Sequence, residues 1–425
     1  MTDEGAYSNL ALSRTLDRAR LSERDAAFAS ELVYGTLRRL VPIDHALAPL
    51  LDRPLDTAPK PARAALRLGA YQLGYMRVPP HAAVAETVSL VDQRQRGFVN
   101  AVLRRLSTAE PRGQAGATAD AIALRTGMSA WAVREIQRLL GDEAEEAAAA
   151  LAERAPTTLR VNTCRGSLEE LERDLVAAGV SAVRGTVHDG SLLVPAGAPA
   201  GLPGFSQGRF AVQDQASSFV VRALDPKPGE RILDVCAGPG GKAAHVACLL
   251  GDTGSVVAAD VSTARIGLVR ETLDRLGVRA MLLAQDGRRP ALREGRFDAV
   301  LVDAPCSGLG SARRRPELLW RAGKDELSGL ARLQVGIATA AAGMLRPGGR
   351  LVYSVCTFPR AETDAACDAL LRRRPELAPI VLEGPDGPAE RIRLWPHRHG
   401  CDAMFLAGFT NRGTAPLPEG PTPTD

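Results

Sequence analysis

The sequence lacks the features that mark secreted, membrane and zinc-binding proteins. Its seven cysteines include no CxxC pair and no paired spacing, which argues against a disulfide framework and a structural zinc site and predicts reduced thiols. The N-terminus has no basic start followed by an apolar core, and no apolar run approaches the length of a membrane span. These absences predict a cytoplasmic protein without a metal.

The chain also lacks a strong excess of charge of either sign. A formal net charge of +4 over 425 residues is mildly basic, and by itself it does not indicate nucleic-acid binding. Hydrophobic residues at 45% and charged residues at 24% are ordinary globular values, which excludes a disordered chain. The length predicts two or three domains.

Changes in pattern along the chain predict where these domains lie. Apolar residues recur at helical spacing from about residue 6 to 106, and a small polar stretch follows. Short strand-like and helical runs then alternate up to residue 212. The predicted division is an all-helical domain at 6–110, a linker with bridging helices at 111–155, a small α+β subdomain at 156–212, a larger domain at 213–410 and a disordered tail at 411–425.

From Gly229 onward, apolar strands alternate with helices of similar length. This pattern is typical of a doubly wound α/β sheet, mostly parallel, with helices on both faces. Ligands of such Rossmann-like folds collect at the carboxyl ends of the strands. The residues that follow the strands are therefore the candidate site.

A glycine-rich turn, CAGPGGK at 236–242, follows the first of these strands. Glycines let the backbone pass close to a ligand, and the helix that begins there offers free N–H donors. The turn is neither a phosphate-binding Walker loop nor GxGxxG. Acids are predicted to close the following strands at Asp260, Asp286 and Asp303, and a rim of acids without a phosphate loop favours S-adenosylmethionine over NAD or ATP.

Two cysteines lie just after strands of the predicted sheet. Cys306 follows FDAVLVD and Cys356 ends LVYSVC. A cysteine after a buried strand is commonly a small core residue, and that interpretation is kept for Cys164, Cys248, Cys367 and Cys401. Thiols at the ligand edge suit methylation of a pyrimidine at C5, because a thiolate must first add to C6 before C5 becomes nucleophilic.

Five motifs carry a family resemblance. CAGPGGK, AADVSTARI, AQDGR, FDAVLVDAPCSGLG and YSVCT resemble, in order and spacing, the NOL1/NOP2/Sun family of RNA 5-methylcytosine methyltransferases. YGTLRR at 34–39 and GFVNAVLRRL at 97–106 are similar to the NusB type of RNA-binding helical domain. The resemblance implies a class I methyltransferase fold, S-adenosylmethionine as cofactor, and a monomeric enzyme that acts on 16S ribosomal RNA.

The resemblance also implies roles for individual residues. Cys356 would be the nucleophile, Cys306 would assist product release, and Asp303 would border both cofactor and base. Gln213 and Asp214 would support the site. Arg313, Arg314 and Arg315 are candidates for contact with the RNA backbone. The implied cofactor-binding residues are Cys236, Ala237, Gly238, Pro239, Gly240, Gly241, Lys242, Asp260, Arg265, Asp286 and Asp303.

Two other functions stay open from the sequence. One is a tRNA cytosine-C5 methyltransferase, and the other is a non-catalytic RNA-binding assembly or antitermination factor. The sequence departs from the family at Thr363, where Asn is usual, and in HGCDAMF at 399–405. Cys306 is itself a rival nucleophile, since DNA cytosine methyltransferases attack with a thiol in a Pro-Cys context.

Overall fold

The computed structural model describes residues 7–109, 116–321 and 323–413. The chain forms two compact units, of which the first comprises Met1–Arg154 and Ser311–Gly323 and the second comprises Ala155–Gly310 and Lys324–Asp425. The predicted disordered tail lies outside the described residues from residue 414 onward. No described helix is long and apolar enough to cross a membrane.

The first unit is helical, as the spacing of its apolar residues predicts. Ser22 begins one helix by accepting a hydrogen bond from the Asp25 N–H, and such caps satisfy backbone donors that a helix start leaves unpaired. Leu66 and Leu103 are fully buried in its core. Its helices are α1 (Ser8–Ala19), α2 (Glu23–Arg38), α3 (Leu40–Leu47), α4 (Lys60–Tyr75), α5 (Pro80–Ser89), α6 (Gln93–Thr108), α7 (Ala119–Thr126), α8 (Ala130–Leu140) and α9 (Ala144–Ala152).

The second unit begins with a small antiparallel sheet and one helix, which confirms the predicted α+β subdomain. Its elements are β1 (Thr157–Val161), α10 (Leu168–Ala177), β2 (Val183–Arg184), β3 (Ser191–Val194) and β4 (Phe210–Val212). The strand order is β2-β3-β1-β4. Alternating strand residues such as Leu159 and Val161 pack on Leu171 and Leu175 of α10, and this packing follows the two-residue period of a strand.

A larger sheet with covering helices forms the rest of the second unit. Its elements are α11 (Gln215–Leu224), β5 (Arg231–Asp234), α12 (Gly241–Leu250), β6 (Ser255–Asp260), α13 (Thr263–Leu276), β7 (Met281–Ala284), β8 (Phe297–Asp303), α15 (Lys324–Ala342), β9 (Leu345–Val355), α16 (Asp364–Arg373), β10 (Leu377–Ile380), β11 (Leu382–Gly384), β12 (Gly387–Ala389), β13 (Arg391–Leu394), α17 (Pro396–His399) and β14 (Met404–Asn411). Helix α14 (Leu318–Arg321) lies in the segment that belongs to the first unit.

The strand order of the large sheet is β10-β14-β9-β8-β5-β6-β7, with β13 also paired to β14. Strands β5 to β9 pair in parallel, and β14 runs antiparallel to β9. The order reverses between β5 and β8, and such a switch point opens a crevice at the carboxyl ends of the strands. The structure confirms the Rossmann-like class and adds an antiparallel edge that the sequence analysis did not identify.

Both faces of this sheet are covered. Ile232, Ala299 and Leu301 point into a core shared with α11, α12 and α13. The neighbouring residues Leu233 and Val300 point into the opposite core, which α15 and α16 complete. Because both faces are buried, the strands are continuous apolar runs, and this is why their positions were predictable.

One pair of cysteines corrects the prediction that the thiols are reduced. Cys164 and Cys248 form a disulfide, with their Cα atoms 5.9 Å apart. The link joins the loop after β1 to α12, across 84 residues of sequence. The spacing of the cysteines in the sequence did not predict this disulfide, because the fold brings together two segments that are distant in the sequence. The other five cysteines are not in disulfides.

Candidate active site

The structure brings Cys306 and Cys356 together, with their Sγ atoms 3.4 Å apart. Strands β8 and β9 are parallel neighbours, and their register pairs Asp303 with Ser354. The two thiols therefore leave the same edge of the sheet, three and two residues beyond paired positions. This edge adjoins the switch point between β5 and β8.

Gly310 fixes the path of the turn that carries Cys306. Its N–H donates to the Cys356 carbonyl, and its own carbonyl accepts from the Ala403 N–H, both at 3.0 Å. A Cβ atom at this position would lie 2.0 Å from the Ala403 carbonyl oxygen. Glycine is required here because two backbones approach closely.

The surroundings of Cys306 oppose its ionisation. Its hydrogen bond with Cys356, its burial, and the negative charges of Cys356, Glu362 and Asp303 raise the pKa of Cys306 well above its ordinary value. Cys306 is therefore the thiol that keeps its proton at neutral pH, within hydrogen-bond distance of the Cys356 Sγ.

Lys242 and Asp303 form an ion pair beside the thiols, with Nζ and Oδ2 2.6 Å apart. The other carboxylate oxygen accepts from the Ser354 hydroxyl at 2.8 Å. Burial lowers the pKa of the Lys242 ammonium, but the charge of Asp303, the hydrogen bond to it and the charges of Asp234 and Cys356 together outweigh burial, and the net shift is upward. The lysine is thus held in its charged form.

Polar side chains upstream of β5 hold Lys242 from its other side. Its Nζ also donates to the Ser217 hydroxyl at 2.6 Å, and Ser217 accepts a second bond from Gln213. Arg160, which is 1% exposed, donates to the Gln213 side-chain oxygen at 2.7 Å. Asp214 caps α11 and also accepts from the Asp402 N–H. Sequence reasoning missed Arg160, Ser217 and Ser354. These residues are distant from Lys242 and Asp303 in the sequence, and only the fold brings them into the same hydrogen-bond network.

The glycine-rich turn closes against Asp260. Gly240 has φ +104° and begins α12, a backbone conformation that favours glycine. The Gly238 N–H donates to Asp260 Oδ2 at 3.1 Å, and a Cβ on Gly238 would lie 2.8 Å from that oxygen. Arg265 is half exposed, with its guanidinium 3.6 Å from the same carboxylate. These contacts hold the glycine-rich turn directly against the acid, so that a side chain at position 238 would not fit.

Asp234, at the end of β5, is deeply buried, at 1% exposure. Neither carboxylate oxygen has a hydrogen-bond partner of ordinary geometry among the described residues, although the Cys236 N–H lies close enough to lower the pKa of Asp234. Buried polar atoms are normally paired, so a carboxylate left open beside the glycine-rich turn fits a ligand that brings its own donors. An S-adenosylmethionine molecule has a ribose and an ammonium group of this kind. Sequence reasoning used Asp234 only as a strand end.

Burial, and then the nearby charge of Asp303, raise the pKa of Asp234 to about 7. In the unfolded chain this acid ionises near pH 4. The native state therefore loses stability from this group as the pH rises from about 4 to about 7. We expect Asp234→Asn to gain stability relative to wild type over that window, by on the order of 2 to 4 kcal/mol. Urea unfolding of both ligand-free proteins at pH 5 and pH 8 measures this, and parallel pH dependence would contradict it.

Asp286 lies two residues beyond β7, which ends at Ala284, and so does not itself close the strand. Its carboxylate accepts from both the backbone and the guanidinium of Arg288. The hydrogen bonds from Arg288 lower the pKa of Asp286 to about 2. The acid is therefore ionised at the edge of the sheet next to Asp260.

The three arginines after β8 differ in exposure. Arg313 is buried, at 8% exposure, and its carbonyl accepts from Arg38. Arg314 and Arg315 are half buried, and Arg315 donates to the Ser311 hydroxyl at 2.6 Å. All three belong to the helical unit. Contact with RNA phosphate stays a prediction for all three arginines, and the structure shows Arg313 to be the least exposed of them.

The described residues contain no group of three or more His, Cys, Asp or Glu side chains arranged to hold a metal ion.

Comparison with protein families gives three consecutive matches. Residues 1–108 match the NusB family, residues 128–199 match a ferredoxin-like domain of RsmF/B-like methyltransferases, and residues 221–410 match the family described as 16S rRNA methyltransferase RsmB/F.

Full-length relatives decide the family. Ribosomal RNA small subunit methyltransferase B of Vibrio cholerae is 35% identical over 93% of this chain and 92% of its own length. The protein of the same name from Salmonella arizonae is 34% identical over 91% of each chain. This chain belongs to the RsmB/F family of 16S rRNA methyltransferases.

Two solved structures are similar to this chain over most of its length. The crystal structure of PH0851 aligns with a TM-score of 0.83 at 25% identity, and covers 94% of this chain and 93% of that one. A methyltransferase homologue from Pyrococcus horikoshii aligns with a TM-score of 0.60 at 28% identity, over 70% of this chain and all of that one. The helical, ferredoxin-like and Rossmann-like parts are thus all accounted for within one family.

Proposed function

We propose that this RsmB/F-family protein methylates C5 of a cytosine in 16S ribosomal RNA, with S-adenosylmethionine as methyl donor and Cys356 as nucleophile. The observation that carries the proposal is the pair of thiols 3.4 Å apart beside the ion pair of Lys242 and Asp303. A lone cysteine at a strand end would serve as core packing. Two thiols, one of which donates to the other next to an ammonium group, provide a nucleophile with a partner.

Asp234, Gly238, Gly240 and Asp260 are the residues that would hold the cofactor. The carboxylate of Asp234 suits an ammonium group, and the carboxylate of Asp260 beside the glycine-rich turn suits the hydroxyls of a ribose. When bound, S-adenosylmethionine supplies an electrophilic methyl group. The remaining predicted contacts, from Cys236 to Lys242 and at Arg265, Asp286 and Asp303, are proposed for the same site.

In the first step, the Cys356 thiolate adds to C6 of the cytosine, so that an S–C6 bond forms and N3 takes up a proton. C5 of the resulting enamine is then nucleophilic. Lys242 and Asp303 support this addition, because an ammonium stabilises the thiolate and the ion pair offers a proton source near the base. C5 would then be able to take a methyl group from bound S-adenosylmethionine, with S-adenosylhomocysteine as the leaving group.

Release requires loss of the C5 proton to a base and cleavage of the S–C6 bond. Cys356 departs as a thiolate, and its neighbour Cys306 donates a hydrogen bond that stabilises the departing sulfur. The raised pKa of Cys306 keeps that donor proton in place. Nucleophilic attack is therefore assigned to Cys356 and product release to Cys306.

The target cytosine has to leave its stack to reach Cys356, at a cost of a few kcal/mol that is least in a loop or distorted helix. The NusB-like helices, proposed as an RNA-binding domain at 6–110, favour an rRNA substrate over a tRNA. We propose a cytoplasmic monomer with the domain division given above. A non-catalytic role in assembly is disfavoured by the retention of both thiols and the ion pair.

Bisulfite sequencing of 16S rRNA tests the substrate directly. We expect a strain that lacks the gene to lose one methylated cytosine, and the purified protein with S-adenosylmethionine to restore it on rRNA from that strain. Loss of a methylated cytosine from tRNA, with 16S rRNA unchanged, would favour the tRNA alternative. Unchanged methylation of both RNAs would contradict the proposal.

A further inference from the structure

A buried acid with no role in the reaction described above contacts the residues that directly follow the two cysteines. Glu362 is 0% exposed and ends the short 3₁₀ turn Arg360–Glu362 that follows Cys356. A carboxylate is costly to bury unless donors surround it. The identity of its donors therefore indicates what the acid is for.

The donors come from the residues that directly follow the two cysteines. Glu362 accepts from the Ser307 N–H at 2.8 Å and from the Ser307 hydroxyl at 2.6 Å. Thr357 contacts the same carboxylate at 3.5 Å, and its hydroxyl lies 2.7 Å from that of Ser307. One carboxylate thus joins the turn that carries Cys306 to the turn that carries Cys356.

A second set of bonds holds Glu362 itself. Gln334 of α15 donates to its carboxylate at 2.9 Å. Tyr353 of β9 donates to its backbone carbonyl at 2.7 Å and lies 3.2 Å from the Gln334 side-chain oxygen. Glu362 is therefore held by strand β9 and by helix α15, which packs on the sheet. These bonds fix its position independently of the two cysteine turns.

We propose that Glu362 is a positioning residue for the two thiols, which holds their turns at reacting distance and, through its charge, keeps the proton on Cys306. The inference rests on the proposed function, because it assigns the thiols different protonation states for attack and release. The negative charge of Glu362 is among those that raise the pKa of Cys306. Without Glu362, the two turns lose the acceptor that they share. The pKa of Cys306 then falls towards that of an ordinary thiol, so the difference in protonation between Cys306 and Cys356 becomes smaller.

Glu362→Gln tests both parts, because glutamine keeps the shape and one acceptor oxygen but removes the charge. We expect kcat for methyl transfer to fall by about 10-fold to 100-fold, as displacement of reacting groups does, with KM for S-adenosylmethionine within about twofold of wild type. Asp368→Asn is the matched control, since Asp368 is an acid on α16 that pairs with Arg391. The control should retain wild-type kcat.

Thiol reactivity separates positioning by a charged group from a general structural role. We expect iodoacetamide to alkylate Cys306 about tenfold faster at pH 8.5 in Glu362→Gln than in wild type, because loss of a nearby negative charge favours the thiolate. Mass spectrometry resolves the two thiols, which fall in different tryptic peptides. This measurement needs no RNA, so it stays informative if the proposed substrate is wrong.

Unchanged kcat in Glu362→Gln, or an unchanged rate of Cys306 alkylation in a variant that melts like wild type, would overturn the inference. If Glu362→Gln does not fold, Ser307→Ala serves instead, because it removes the hydroxyl bond and leaves the backbone bond to Glu362. We expect a several-fold loss of kcat from Ser307→Ala. Wild-type kcat in that variant would also overturn the inference.

Discussion

Cys356→Ala is expected to lower kcat for methyl transfer by at least about 10⁴-fold, because C5 of cytosine is not nucleophilic until a thiolate has added to C6. Affinity for S-adenosylmethionine should stay within a few-fold of wild type, since no proposed cofactor contact involves Cys356. Transfer of a radiolabelled methyl group to 16S rRNA gives the rate, and calorimetry gives the affinity.

Cys367→Ala is the matched control for this experiment. Cys367 is a free cysteine of α16, 1% exposed and packed in the apolar core. Removing its thiol should cost some stability and leave kcat close to wild type. Substantial methyl transfer by Cys356→Ala, or an equal loss of kcat in Cys367→Ala, would contradict the assignment of Cys356.

Asp303→Asn is expected to lower kcat by about 10²-fold to 10³-fold, which is the range for loss of a positioned acid–base or electrostatic group. The substitution leaves the Lys242 ammonium without its carboxylate partner and changes the acceptor of the Ser354 hydroxyl. Asp303 is also a proposed cofactor contact, so KM for S-adenosylmethionine should rise in parallel. Steady-state kinetics on the rRNA substrate separates the two effects.

Asp298 supplies the control for Asp303, because it lies at the opposite end of the same strand. Its carboxylate accepts from the Arg231 N–H and pairs with Arg346. Asp298→Asn should leave kcat unchanged. Combining Lys242→Met with Asp303→Asn should cost less than the sum of the two single losses, because the residues act as a pair. Additive losses would indicate independent roles.

The sheet could be predicted from the sequence because its strands are buried on both faces. Continuous apolar runs such as Phe297–Asp303 then stand out, and each strand end identifies a candidate residue. The edge strands β10, β13 and β14 were missed, since they lie beyond the regular alternation of strands and helices. β14 pairs with β9, and β10 and β13 pair with β14, through contacts that no local pattern records.

The partners of the candidate residues were less predictable than the residues themselves. Lys242 and Cys306 belong to recognisable motifs, but Ser217 reaches Lys242, and Glu362 reaches the turn of Cys306, only through the fold. The same holds for the bond between Cys164 and Cys248, 84 residues apart. The burial of Arg313 within a run of three arginines could not be predicted either, because no local pattern distinguishes it from Arg314 and Arg315.

A covalent protein–RNA adduct tests the central claim most directly. We incubate wild type, Cys306→Ala and Cys356→Ala with S-adenosylmethionine and rRNA, and resolve the products on a denaturing gel. If Cys356 attacks and Cys306 assists release, Cys306→Ala accumulates an adduct that resists denaturation and Cys356→Ala forms none. An adduct in Cys356→Ala, with none in Cys306→Ala, would contradict the account and assign the attack to Cys306.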